Sequence, residues 1–144
     1  MTKPTNSHLS DESLPLAGST VAAGFPSPAD DYIQSRLDLT ELLIKHPSST
    51  YLARAEGNSM VELGIFSGDL LVVDRAAERI HMCVVVASID GEFTTKILDM
   101  HNQLLLPANK EMAPIPIPED SDVIFEGVVT SVIKTNVSGH VRTY

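Results

Sequence analysis

From Thr50 onward the apolar residues come in short runs broken by turn signals, the pattern of successive strands. The runs are Tyr51 to Ala55, Leu70 to Asp74, Val84 to Ile89, Glu92 to Leu98, Gln103 to Leu106 and Val123 to Lys134. Between two of them stands Asp90-Gly91, which suits a two-residue type I′ turn because both positions of that turn take positive φ. A hairpin there sets the phase of the next strand. Glu92, Thr94, Lys96 and Leu98 then share one face, and Phe93, Thr95 and Ile97 the other. The clearest helix, Leu37-Asp38-Leu39-Thr40-Glu41-Leu42-Leu43-Ile44, precedes the strands. Asp38 is its expected N-cap, Glu41 completes a capping-box pattern, Leu37 and Leu42 have hydrophobic-staple spacing, and Pro47 stops it. Its expected role is to pack over a sheet or an edge. One tight hairpin, several strands and no repeats predict a small mostly-β domain with bent, partly closed sheets and a short helix.

Residues 1 to about 31 mix Ser, Thr, Pro, Gly and acids with few large apolar groups, the composition of a flexible N-terminal arm without a core. The expected organisation is therefore an arm over 1–31 and a folded domain over 32–144. One aliphatic patch interrupts the arm, Ser19-Thr20-Val21-Ala22-Ala23-Gly24-Phe25-Pro26. Laid out extended, Val21, Ala23 and Phe25 point to one side. Proteases hold substrates extended so that main-chain hydrogen bonds set the register of the scissile bond. Ala23 fits a shallow pocket and Gly24 leaves the preceding carbonyl open to attack; a plain linker would read the same.

Bulk properties narrow the options. A chain of 144 residues suits one domain. The single cysteine, Cys83 in Met82-Cys83-Val84-Val85-Val86-Ala87, excludes an internal disulfide, reads as a small buried hydrophobe, and fits a reducing cytoplasm. Met1 to Ala23 holds no apolar stretch of signal-peptide or membrane length, so neither export nor anchoring is expected. A net charge of −9 opposes direct grip on a phosphate backbone. The histidines His8, His46, His81, His101 and His140 are scattered, with no ligand pair at helical spacing. No metal or cofactor is expected.

Candidate chemistry centres on Ala55-Glu56-Gly57-Asn58-Ser59-Met60, a small-residue corner presenting one serine between apolar runs. A serine hydroxyl needs a neighbour to take its proton. No histidine and acid stand in a suggestive order, but Lys96 is embedded in a strand of apolar and β-branched residues, Gly91-Glu92-Phe93-Thr94-Thr95-Lys96-Ile97-Leu98. On spacing alone, most serines beside Asn and Gly are simply turn residues and most strand lysines solvated ends. To act as a base Lys96 must be neutral, so burial must pull its pKa down from about 10.4. Thr94 lies on the same face about 6–7 Å along the strand, placed to aim the amine, though a threonine also suits a strand for its own sake. Backbone N–H groups of Ser59 and Asn58 are the expected oxyanion donors. Gly57 lets the chain turn, and Met60 packs beneath.

The segments Gly57-Asn58-Ser59-Met60, Ser67-Gly68-Asp69-Leu70-Leu71-Val72-Val73-Asp74, Asp90-Gly91-Glu92-Phe93-Thr94-Thr95-Lys96 and Leu106-Pro107-Ala108-Asn109 resemble, in that order, the LexA/UmuD family of self-cleaving serine peptidases. Ala23-Gly24-Phe25-Pro26-Ser27-Pro28 is similar to the processing site of its UmuD-type members, and the likeness runs to about Lys134. The resemblance implies a LexA C-terminal-like fold, with Ser59 as nucleophile, Lys96 as general base, Thr94 orienting the amine, and cleavage between Ala23 and Gly24. It implies further that cleavage follows contact with a RecA filament on single-stranded DNA. The trimmed homodimer would then serve an error-prone Y-family polymerase subunit of the UmuC type. Two departures stand out: Ala23 where UmuD-type proteins carry Cys, and His81-Met82-Cys83 where relatives have Gly-Asp after the histidine. Residues 136–144 run past the likeness. A repressor would need a DNA-binding domain ahead of Ala23, and a signal peptidase a membrane anchor. A binding subunit of a translesion polymerase with an unused Ser/Lys pair is the remaining alternative.

Overall fold

The computed structural model describes residues 12–18, 33–119 and 122–135. The chain divides into two units, one ending at Lys45 and the other beginning at His46. In the first, β1 (Leu14–Ala17) pairs antiparallel with β2 (Ile33–Leu37). Arg36 reinforces this ribbon by donating from Nε to Ser13 Oγ at 3.0 Å. The helix α1 (Leu39–Leu43) follows, capped by Asp38, whose Oδ1 accepts from the Thr40 and Glu41 N–H groups at 2.9 and 3.2 Å. The cap is as expected; the packing role is not, since no residue of α1 is buried. Its last turn ends at Ile44, and Pro47 opens a short 3₁₀ turn over Pro47–Ser49.

The second unit holds a seven-stranded antiparallel sheet. Its strands are β3 (Thr50–Arg54), β4 (Leu70–Asp74), β5 (Val84–Ile89), β6 (Glu92–Asp99), β7 (Leu104–Leu106), β8 (Ile115–Pro116) and β9 (Val123–Ile133). Their order is β3-β4-β9-β5-β6-β7-β8, so the last strand lies between the two hairpin systems that precede it. The β5–β6 hairpin closes at Asp90-Gly91 with φ of 50° and 86°, as a type I′ turn requires.

Two bulges bend this sheet. Register shifts on β9 fall opposite Val72/Val73 and opposite Val86/Ala87, and an extra residue on one strand increases local twist. At the second bulge Gly127 has φ of 147°, and a Cβ there would sit 2.7 Å from Val73 Cγ1 and 3.1 Å from the Asp74 carbonyl oxygen. Only glycine lets β9 approach β4 this closely. Gly127→Ala is expected to lower stability by about 2–4 kcal/mol, the combined effect of backbone strain and overpacking, measured by urea unfolding.

The core divides between the sheet's two faces. Met60, Ile65, Leu71, Val73, Val86 and Ala108 form one cluster, and Val85, Ala87, Leu98, Leu105 and Val128 the other. Removing these aliphatic side chains from water is the main source of stability. Cys83 is half-buried against the second cluster, as a small hydrophobe. Buried carboxylates tie down the loops. Asp74 meets His46 Nδ1 at 2.6 Å and accepts from the Ala76 N–H at 2.8 Å; its partnership with His46 holds its pKa below the usual value. Asp99 accepts from Asn102 Nδ2 at 2.8 Å and from the Asn102 and His101 N–H groups, which likewise holds its carboxyl low.

Candidate active site

The corner that carries Ser59 is built by the strand before it and a loop from far along the chain. Leaving β3, the backbone remains tied at Ala55, whose N–H donates to the Asp69 carbonyl at 2.8 Å and whose carbonyl accepts from Gly68 at 2.9 Å. Gly57, with φ of 86°, then turns the chain. Beyond it the loop at residues 108–110 clamps the corner. The Ala108 N–H donates to the Ser59 carbonyl at 2.7 Å, Asn109 Nδ2 donates to the Asn58 carbonyl at 2.9 Å, and the Glu62 N–H donates to the Ala108 carbonyl at 2.8 Å. Met60 is buried in the core beneath, in the packing role expected of it.

Lys96 comes from the middle of β6 and is only 6% exposed. Its Nζ donates to Thr94 Oγ1 at 2.5 Å and to the Thr95 carbonyl at 3.2 Å. Thr94 therefore holds the amine. Burial lowers the Lys96 pKa from the ordinary lysine value, because the ammonium form loses hydration that the neutral amine needs less. Among the described residues no carboxylate forms an ion pair with it. Ser59 Oγ lies 3.5 Å from the same Thr95 carbonyl. That distance is at the long limit of a hydrogen bond, so the hydroxyl is only loosely held there. The hydroxyl and the amine thus converge on one oxygen, and can be no further apart than those two contacts laid end to end.

Beside them opens a cleft of about 390 Å³. β3 and the corner contribute Tyr51, the run from Ala53 to Gly57 and Ser59; Met60, Ile65, Leu71 and Val86 come from the first core cluster, and Phe93, Thr94 and Thr95 from β6. Three strands separate β3 from β6 in the sheet, so residues of both can line one cleft only because the sheet curls. Short side chains at 53, 55 and 57 leave room along one side for an extended peptide. Lys96 is not among the lining residues, and neither is Asn58. Ala23 and Gly24 lie outside the described residues.

Two features escaped the sequence reading. Tyr51 donates to the Glu126 carbonyl at 3.3 Å, and Arg75 sits 5.1 Å over its ring; burial raises its pKa. His81 and His101, apparently scattered in sequence, stack with ring centroids 3.7 Å apart. Among the described residues no group of three His, Cys, Asp or Glu side chains is arranged to hold a metal, and no helix is long and apolar enough to cross a membrane.

Comparison with known proteins shows the family. Residues 15–130 match the family described as Peptidase S24-like. The chain is 44% identical over 120 residues to Protein SamA of Salmonella typhimurium, covering 83% of this chain and 84% of that one. It is 42% identical over 120 residues to Protein MucA of Escherichia coli, covering 82% of each. With the LexA repressor of Alcanivorax borkumensis it shares 37% identity over 131 residues, 90% of this chain and 63% of the repressor. The bent β-domain, the serine corner and the sequence likeness lead to one conclusion: the chain belongs to the Peptidase S24-like family of self-cleaving serine peptidases, among its UmuD-type members.

Proposed function

We propose that this chain is a self-cleaving Ser/Lys peptidase of the SOS DNA-damage response, with residues 1–31 as the arm that contains the cleavage site and 32–144 as the peptidase domain. The observation that carries the reading is the convergence of Ser59 Oγ and Lys96 Nζ on the Thr95 carbonyl, with the amine buried and held by Thr94. Neutral Lys96 takes the Ser59 proton as Oγ bonds to the Ala23 carbonyl carbon, whose oxygen gains the negative charge. The C–N bond then breaks, Lys96 returns the proton to the Gly24 nitrogen, and water hydrolyses the Ala23 ester. Backbone N–H groups of the corner that carries Ser59 receive the oxyanion.

The trigger in this reading is a RecA filament on single-stranded DNA, met in the cytoplasm. The trimmed homodimer then serves as accessory subunit of an error-prone Y-family polymerase, UmuC-like in kind. A net charge of −9 suits contact with DNA through partners rather than directly. The test is to incubate the purified chain with activated RecA filament, and separately alone at alkaline pH, and to weigh the products. A new N-terminus at Gly24 supports the proposal. No processing under either condition favours a binding subunit with an idle Ser/Lys pair.

A further inference from the structure

We propose that Asn109 is a positioning residue that sets the oxyanion site, and that the donors it sets are the N–H groups of Ser59 and Met60. The inference rests on the peptidase reading of the same corner. In a trans peptide the carbonyl and the N–H of one planar unit point in opposite directions. Asn109 Nδ2 holds the Asn58 carbonyl at 2.9 Å, which turns the Ser59 N–H away from Asn109. The Ala108 N–H holds the Ser59 carbonyl at 2.7 Å, which turns the Met60 N–H away from the same loop. Two successive carbonyls are thus drawn to adjacent residues of one loop, and two successive N–H groups leave on its far side. Ser59 and Met60 both line the cleft, and Asn58 does not.

Among the described residues neither the Ser59 nor the Met60 N–H has a hydrogen-bond partner. Met60 is 3% exposed, and a buried backbone donor without a partner is costly, so such groups are rare in folded proteins. A developing oxyanion on a carbonyl attacked by Ser59 Oγ would satisfy both. The amide of Asn109 has one orientation available: its Oδ1 accepts from the Glu111 N–H at 3.0 Å, leaving Nδ2 for Asn58. Glu62 fixes the loop in turn, its Oε2 accepting from the Lys110 N–H at 2.6 Å.

Asn109→Asp isolates the effect, because it keeps the oxygen that binds Glu111 and replaces only the donor to Asn58. Two rates are measured on the full chain. One is alkaline self-processing. The other is labelling by a fluorophosphonate, in which Ser59 Oγ bonds to phosphorus, fluoride leaves, and the proton passes to Lys96. Both rates are expected to fall about ten- to a hundredfold, the scale of a misaligned oxyanion donor. The pH at which each rate rises is expected to stay put, because Lys96 is untouched. Asn109→Ala, lacking the donor without adding a repelling oxygen, is expected to lose less. Whichever variant keeps the wild-type circular dichroism decides. A folded variant working within twofold of wild type, or one whose pH profile moves, overturns the role of Asn109 while leaving the peptidase reading intact. A wild-type chain inert in both assays overturns the reading itself, and the oxyanion role with it.

Discussion

Ser59→Ala and Lys96→Ala are each expected to abolish alkaline self-processing, lowering its rate by at least about 10⁴-fold, and the double variant is expected to be no worse than either alone. Residues that act as one unit fail together, because a hydroxyl without a base and a base without a hydroxyl are equally inert. Mass spectrometry of the full chain after hours at high pH reads the result. Wild type should yield the fragment beginning at Gly24 at a rate that climbs with pH until the Lys96 amine is neutral. Because burial depresses the Lys96 pKa, that climb should level off below the pH range where free lysine titrates. Processing that persists in Lys96→Ala with an unchanged pH profile would assign the base elsewhere.

The second expectation sets stability against function. Lys96→Met should leave the protein inactive and more stable at neutral pH by about 1–3 kcal/mol, since a thioether of similar length fills the site without a buried charge. The gap has a defined pH dependence. Below the folded-state pKa of Lys96, folded and unfolded chains both carry the proton, and the folded state bears the full cost of dehydrating it. Between that pKa and the unfolded value near ~10.4, the unfolded chain holds a proton that the folded chain has lost, so wild-type stability rises with pH. The advantage of Lys96→Met should therefore shrink from neutral pH towards pH about 11. Denaturant titrations at several pH values measure it, and a gap that stays constant would show that the amine is not held neutral.

Most of the second unit was legible in the chain because its signals are local. The runs Leu70 to Asp74 and Val84 to Ile89 match β4 and β5 at both ends, and Asp90-Gly91 gave the hairpin turn and the phase of β6. Each depends on residues close in sequence, where alternation and turn chemistry suffice. β1 and β8 were not read, for a related reason. Leu14-Pro15-Leu16-Ala17 and Ile115-Pro116 each include proline, which lacks a donor, and are too short to show a period. Capping by Asp38 was legible while the exposure of α1 was not, since a cap is made within four residues and burial depends on what lies opposite.

The site divides along the same line. Ser59 and Lys96 drew notice as residue types in distinctive settings, and the resemblance joined them. Asn109 passed unnoticed except as part of a likeness, because its partner is 51 residues away and nothing in Leu106-Pro107-Ala108-Asn109 specifies an interaction. His81 and His101 meet only because the turn after β6 brings them face to face.

The place of β9 bears on how the protein is made. A ribosome decodes both Ser59 and Lys96 well before it reaches Val123, so the growing polypeptide holds both members of the proposed pair early. Yet β4 and β5 have no common neighbour until β9 slots between them, and the curl that brings β3 towards β6 waits on that step. On the proposed reading, translation order is thus a safety catch: a chain cut short before Val123 is expected to carry both Ser59 and Lys96 and yet fail to process itself.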